Sequence, residues 1–373
     1  MQARQIDIHN PKDVRQFIQF PFELYRGNPY WVPPMLGEMK TALDPKKHPY
    51  FQHSQAAFFI TEERGKTLAR IAILDNKRYR KNSGTDTGLF YYFESVNNPK
   101  AARAVMDAGA KWAKTQGISA LVGPKGLAQG DSIGMLVEGF DYLPAMGIAY
   151  NMDYYPRLMD ALGFTKQSDL LSGQLHRDTF ELPQRIHELA ARVKKRRGIH
   201  ARRFETKDEL RKFIPQVREV YNQAFATVPE FVPITEAEVW LIADKILSIA
   251  DPRLIKLVFK EDELIGFMFA YPNINRAMQK ARGRIWPLGW WRLMREFKRT
   301  KWLDLNGIGL LPQHQGVGAT AVLFSELEKT IRNERFLHGD IVQVNELNMK
   351  SFREMDHLGV EWHKKHRIYK KNL

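Results

Sequence analysis

The feature that most limits what this chain can fold into is an internal echo. Met159-Asp160-Ala161-Leu162-Gly163-Phe164 near the middle is answered by Met355-Asp356-His357-Leu358-Gly359-Val360 near the end, Gly163 and Gly359 standing 196 positions apart. Both copies follow an Asn-Met pair, Asn151-Met152 and Asn348-Met349, one residue out of step. Each stretch predicts a helix opened by an Asn cap, stopped by glycine and followed by a strand. Other elements repeat in matching order. Hairpins are expected at 56–60 with 68–74 and at 254–260 with 264–271. Strands follow at 89–96 and 303–311, then a helix in each half, then short strands at 120–124 and 340–345. Helices at 207–225 and 235–249 precede the second set. This alternation predicts an α/β (α+β layered) fold of two tandem units, each a mixed central sheet flanked by helices. A chain of 373 residues is comfortable for two such domains. The expected division is 1–190 and 191–373, joined near 183–200, with residues 1–55 as an irregular, Pro-rich arm.

The second half carries a turn that the first lacks. Leu310-Leu311-Pro312-Gln313-His314-Gln315-Gly316-Val317-Gly318-Ala319-Thr320 runs from a strand into a helix of apolar period (Val322, Leu323, Leu327, Ile331). Two glycines one residue apart let the backbone turn sharply and bring successive N–H groups to one point. At a helix N-terminus those donors favour an anion, so a phosphate or diphosphate is predicted here. The pattern is not a P-loop, which needs a Lys-Ser/Thr end, nor a G-x-G-x-x-G turn.

It does resemble the diphosphate-binding turn of the GCN5-related N-acetyltransferase (GNAT) superfamily, Arg/Gln-x-x-Gly-x-Gly/Ala. Gln313 or Gln315 can occupy the first position. The Gln315 register places Pro312 and Leu323 where that family usually has them and is preferred, although Thr320 stands where Gly or Ala is usual. The Leu-Gly-apolar helix ends resemble the closing helix of many GNAT folds. The resemblance implies an acyl-CoA-dependent N-acyltransferase, moving acetyl or a longer acyl group from acyl-CoA, as co-substrate, to an amine. It makes Leu310, Leu311, Gln315, Gly316, Val317, Gly318, Ala319, Thr320 and Asn348 the expected CoA contacts. Residues 97–102 of the first half, with no glycine pair, imply that only the second unit holds CoA and that the first completes the substrate pocket. The tyrosine often used to protonate the departing thiolate has no counterpart, because its slot falls near Met355.

Catalytic candidates are carboxylates. Asp304 lies on the strand before the turn; Glu138 and Asp141 stand in a polar, aromatic segment of the first half. Tyr150, Asn151, Tyr154 and Asn345 are the candidate substrate contacts. The chain has no cysteine, which excludes thiolate nucleophiles, disulfides and Cys-zinc sites and suits a reducing, cytoplasmic setting. Its histidines show no metal spacing, so no metal is expected. The net charge of +15 favours anionic partners: CoA, acidic lipid or nucleic acid. The Lys194–Arg197 run reads as a solvated linker. Trp286, Trp290 and Trp291, set among arginines, suit a membrane interface. That would place the protein at the inner face of the membrane with a lipid-like amine, and it more loosely resembles long-chain N-acyltransferases of bacterial sphingolipid or acyl-amino-acid synthesis. Two other readings stay open. One is an aminoacyl-tRNA-dependent transferase of the tandem-GNAT type, which the charge favours and the intact turn opposes. The other is a non-catalytic membrane- or nucleic-acid-binding protein that keeps the fold; without a helix-turn-helix pattern, nucleic acid is not an expected partner. No motif addresses oligomeric state.

Overall fold

The computed structural model describes residues 1–228 and 231–373. The first 55 residues are not an irregular arm. Strand β1 (Gln2–Gln5) pairs antiparallel with β2, and helices α1 (Pro11–Leu24) and α2 (Leu36–Ala42) follow it. The sequence hid this because β1 is short and α1 carries Pro21 in its interior, which breaks the usual helical pattern. Next come the hairpin β2 (Gln55–Glu63) and β3 (Lys66–Asp75), helix α3 (Lys77–Ser83), strand β4 (Thr87–Ser95), helix α4 (Pro99–Thr115) and strands β5 (Ala120–Gly123) and β6 (Met135–Glu138). Helix α5 (Tyr155–Ala161) ends at Gly163 with φ +79°, and strand β7 (Thr165–His176) closes the series.

The second series begins with α6 (Gln184–Arg197), stopped by Gly198 at φ +64°. Then follow β8 (Ile199–Arg202), α7 (Lys207–Arg211), α8 (Ile214–Ala224) and α9 (Glu236–Ile249). A capping box, Thr235 with Glu238, opens α9. The hairpin β9 (Lys256–Lys260) and β10 (Glu263–Pro272) leads into α10 (Asn275–Ala281) and α11 (Gly289–Arg299). Strand β11 (Trp302–Leu310), α12 (Ala319–Arg332), β12 (His338–Asn345), α13 (Met349–His357) and β13 (Glu361–Asn372) complete the chain. The echo is real in three dimensions. Gly359, at φ +74°, ends α13 as Gly163 ends α5. Only α13 has the expected Asn cap, Asn348; Asn151 is used elsewhere.

All the strands form one sheet in the order β1-β2-β3-β4-β5-β13-β7-β12-β11-β10-β9-β8, with β6 alongside β13. The closing strands are exchanged. β13, from the second series, lies between β5 and β7; β7, from the first, lies against β12. The two halves therefore share a continuous hydrogen-bonded ladder rather than a linker-bounded seam. A large apolar core under β9–β11 and two under β2–β5 flank this exchange.

Candidate active site

Parallel strands β11 and β12 pair only from Trp302↔His338 to Leu305↔Ile341. Beyond that they part, while β11 stays paired to β10 as far as Leu310. At the parting point Asn306 and Gly307 together oppose a single residue of β10, a β-bulge, with Gly307 at φ +146°. A bulge leaves backbone N–H and C=O groups out of the ladder, and here it falls at the point where the strands part. Because β11 and β12 are parallel, the starts of α12 and α13 face the same edge of that opening.

At the start of α12, Gly316 (φ +74°) and Gly318 (φ +92°) both take left-handed backbone, but their surroundings differ. A Cβ on Gly318 would sit 2.6 Å from Val193 on α6, so this glycine lets α6 pack on α12. A Cβ on Gly316 would meet nothing within 4 Å, so that side is open. No side chain caps α12. Among the described residues, the N–H groups of Gly316, Val317, Gly318, Ala319 and Thr320 have no protein partner. Gln315 turns back, its amide donating to Leu310 O at 3.4 Å, and Leu310 and Leu311 are buried. The basic run predicted as linker is instead the last turn of α6, and Arg197 Nη1 donates to Val317 O at 3.4 Å. A guanidinium thus stands at the Gly316–Gly318 turn; a run of charges in one sequence cannot reveal that, because the contact spans 120 residues.

The corresponding place in the first half is filled by its own side chains. Asn98 caps α4 by accepting from Lys100 and Ala101 N–H, and Pro99 supplies no donor. At the end of β4, Tyr155 Oη accepts the Ser95 N–H at 2.9 Å and Tyr154 Oη donates to Ser95 O. Tyr25 and Tyr155 both donate to the half-buried Glu94 at 2.6 Å, and desolvation raises the pKa of that carboxyl.

On the sheet face away from α12, Asp304 is wholly buried. It accepts the Met146 N–H at 2.6 Å and the Asn273 amide at 3.0 Å. Burial, reinforced by the neighbouring Asp340 carboxylate, pushes its pKa up to about 7. Asp340, opposite it on β12, accepts from Lys364 at 2.7 Å, and Lys364 also donates to Leu143 O. His366 donates to Ala149 O, and burial lowers its pKa to about 4. Asp340 Oδ1 and His366 Nδ1 are buried with no protein partner, and such atoms favour a polar group that supplies one. Residues 143–149 of the first half therefore cover the second half's carboxylates.

Other sequence candidates fall elsewhere. Glu138 is exposed and paired with Lys365 at 2.6 Å, and Asp141 is exposed as well; neither reaches Asp304's cluster. Asn151 bridges Leu136 N–H and C=O, Tyr154 closes β4, and Tyr150 donates to Phe140 O within an aromatic cluster with Tyr25, so their polar groups are spent on the fold. Asn345 accepts the Leu347 N–H at the end of β12, and Asn348 caps α13. On the α12 face, an apolar cleft lies under the paired residues of β11 and β12, ahead of the point where they part, walled by Leu303, Leu305, Phe324, Leu327, Ile341 and Met355.

Two β–α–β halves with a strand pair that parts at a bulge define a tandem GNAT fold, and solved structures agree. The chain matches a tandem GNAT protein from the clavulanic acid biosynthesis pathway over 100% of its length and 98% of that chain, with TM-score 0.58 and 12% identity. It also matches a probable N-acyltransferase from Enterococcus faecalis over 100% of its length and 72% of that chain, with TM-score 0.54 and 6% identity. By sequence it is 26% identical to protein YghO of Escherichia coli, covering 98% of this chain and 94% of that one. It is 26% identical to the bacterial ceramide synthase of Caulobacter vibrioides, covering 99% and 97%. No protein-family model matches the sequence.

Proposed function

We propose that the protein is an acyl-CoA-dependent N-acyltransferase whose acceptor is a lipid-like amine. The observation that carries this reading is the set of unpartnered N–H groups at Gly316–Thr320, open on the Gly316 side, beside Arg197 and at the mouth of the parting strands. Those donors fit the diphosphate of CoA. The arm of the cofactor would then run between β11 and β12, with the thioester carbonyl held by backbone at the Asn306–Gly307 bulge. The amine nitrogen attacks that carbonyl carbon. A C–N bond forms, the C–S bond breaks, CoA leaves as its thiolate, and the amine's proton passes to a base. Asp304, on the same strand and with its pKa near neutrality, is the base we assign. The apolar cleft under the paired part of the same two strands supports a long acyl chain, and a ceramide synthase among the relatives supports a long-chain amine.

Calorimetric titration with acetyl-CoA and palmitoyl-CoA tests the reading, followed by mass spectrometry of amide products from long-chain amines. Saturable binding at micromolar concentration and an amide product are expected. Absence of binding for both thioesters at tens of micromolar would end the proposal.

A further inference from the structure

Six exposed large apolar side chains fall within ten residues, in the segment before α11 and on its first turns. Trp286 is 81% exposed, Trp290 58% and Trp291 53%, with Ile285, Leu288 and Met294 beside them. Helix α11, which carries Trp290, Trp291 and Met294, has a second apolar face, Leu293 and Phe297, that packs with Met146, Tyr271 and Ile274. The tryptophans are therefore surplus to folding: the inner face anchors the helix and the outer one meets solvent. Between Arg276 and Lys301 the sequence holds nine basic residues against one acidic residue, Glu296, which is more than half of the chain's net charge of +15. None of the nine forms an ion pair among the described residues. The Arg295 guanidinium carbon lies 5.2 Å from the Trp291 ring centroid, an arrangement that keeps the charge at the edge of the apolar patch.

We propose that α11 and the segment 282–288 before it dock the protein on the surface of an anionic bilayer. Tryptophans settle at the headgroup level, and the basic rim is attracted by acidic lipid. A second copy of the chain is the poorer occupant, because two patches this basic would repel across a symmetric interface. A nucleic-acid backbone would satisfy the arginines and leave the apolar side chains in water.

The platform is tied down on both sides. Gln279 donates to Pro29 O and Trp31 O in the first half, and Leu36 N–H donates to Gly283 O. On the same side Asn273, which holds Asp304, stands two residues before α10 begins, and at the other end α11 leads into β11, the strand of Asp304. Docking would thus set the Asp304 side of the sheet toward the lipid. Under the proposed function this bilayer is the source of the acceptor amine; the docking itself does not depend on that reading.

The test is co-sedimentation of the whole protein with vesicles of phosphatidylcholine, with and without phosphatidylglycerol, alongside tryptophan fluorescence. Binding to the anionic vesicles, a blue shift in emission, and weakening with salt are expected. The triple variant Trp286→Ser/Trp290→Ser/Trp291→Ser should lose vesicle binding while keeping the wild-type melting temperature and acyl-CoA titration. The variant Arg282→Gln/Arg284→Gln/Arg299→Gln should bind anionic vesicles roughly a hundredfold more weakly. No binding to either vesicle overturns the proposal, as does a triple tryptophan variant that binds like wild type. Equal binding to neutral vesicles overturns the requirement for anionic lipid. A dimer in solution that the tryptophan variant dissolves, without vesicle binding, would assign the patch to a second copy instead.

Discussion

Asp304 holds its proton to about pH 7 because burial and the facing Asp340 both disfavour its charge. Two consequences follow at this residue. Acyl transfer should rise with pH through about 7 as the carboxylate forms, and Asp304→Asn should abolish that limb of the rate profile while leaving acyl-CoA affinity in place. Stability should move the opposite way. Between its usual range and about 7, the folded protein keeps a proton that the unfolded chain has released. The contribution is therefore full below the usual carboxylate range and lost as pH rises through 7. Denaturant titrations of wild type and Asp304→Asn across that window should converge at low pH and diverge at high pH, the variant becoming the more stable. Lys364 offers a separate check. Removing it by Lys364→Met leaves Asp340 buried without its cation and should cost about 3 kcal/mol or more in the same assay. Adding Asp340→Asn should recover most of that loss. An unchanged midpoint in the single variant would show that the pair carries no such strain.

At the scale of elements, the start of α12 and the end of α6 act together. Arg197→Glu should weaken acyl-CoA binding about tenfold or more by placing a carboxylate beside the diphosphate site. Gln315→Glu, at an exposed position of the same turn, should act in the same direction. Phe324→Trp, on the helix wall of the apolar cleft, should reduce affinity for palmitoyl-CoA and spare acetyl-CoA, which titration of both would separate. Equal losses for the two thioesters would remove the cleft from the acyl site. How much of this was legible follows from distance along the chain. The turn at Gly316 and Gly318, the two hairpins and the Gly163/Gly359 helix ends are local patterns, and each is present where the residues put it. Arg197 at the turn, residues 143–149 over Asp304, and the tyrosines closing β4 join partners 59 to 158 residues apart. No spacing rule reports such contacts. Asn151 shows a subtler limit: a cap-forming residue type in the right place bonded to a neighbouring strand instead.

For the whole molecule, the exchanged strands decide how the halves depend on each other. β13 runs beside β5, β6 and β7, so the last twelve residues of the sheet complete the first half as much as the second. A chain ending at residue 360 should fail to fold cooperatively, and the intact chain should unfold in a single transition despite its separate cores. Two separated calorimetric transitions would contradict that coupling. Residues 143–149 of the first half lie over the second half's carboxylates, and α11 packs against Met146 of that loop, so one sheet links the Gly316 turn, the buried acid and the exposed tryptophans.

The central claim is that the N–H groups of Gly316–Thr320 grip the diphosphate of an acyl-CoA while its arm lies between β11 and β12. A crystal structure of the protein grown with CoA tests it most directly. Diphosphate oxygens are expected within hydrogen-bond distance of those amides and Arg197, with the sulfur near Asn306 and Gly307. CoA bound beside α4 in the first half, or along the outer surface with the β11–β12 opening unentered, would contradict it.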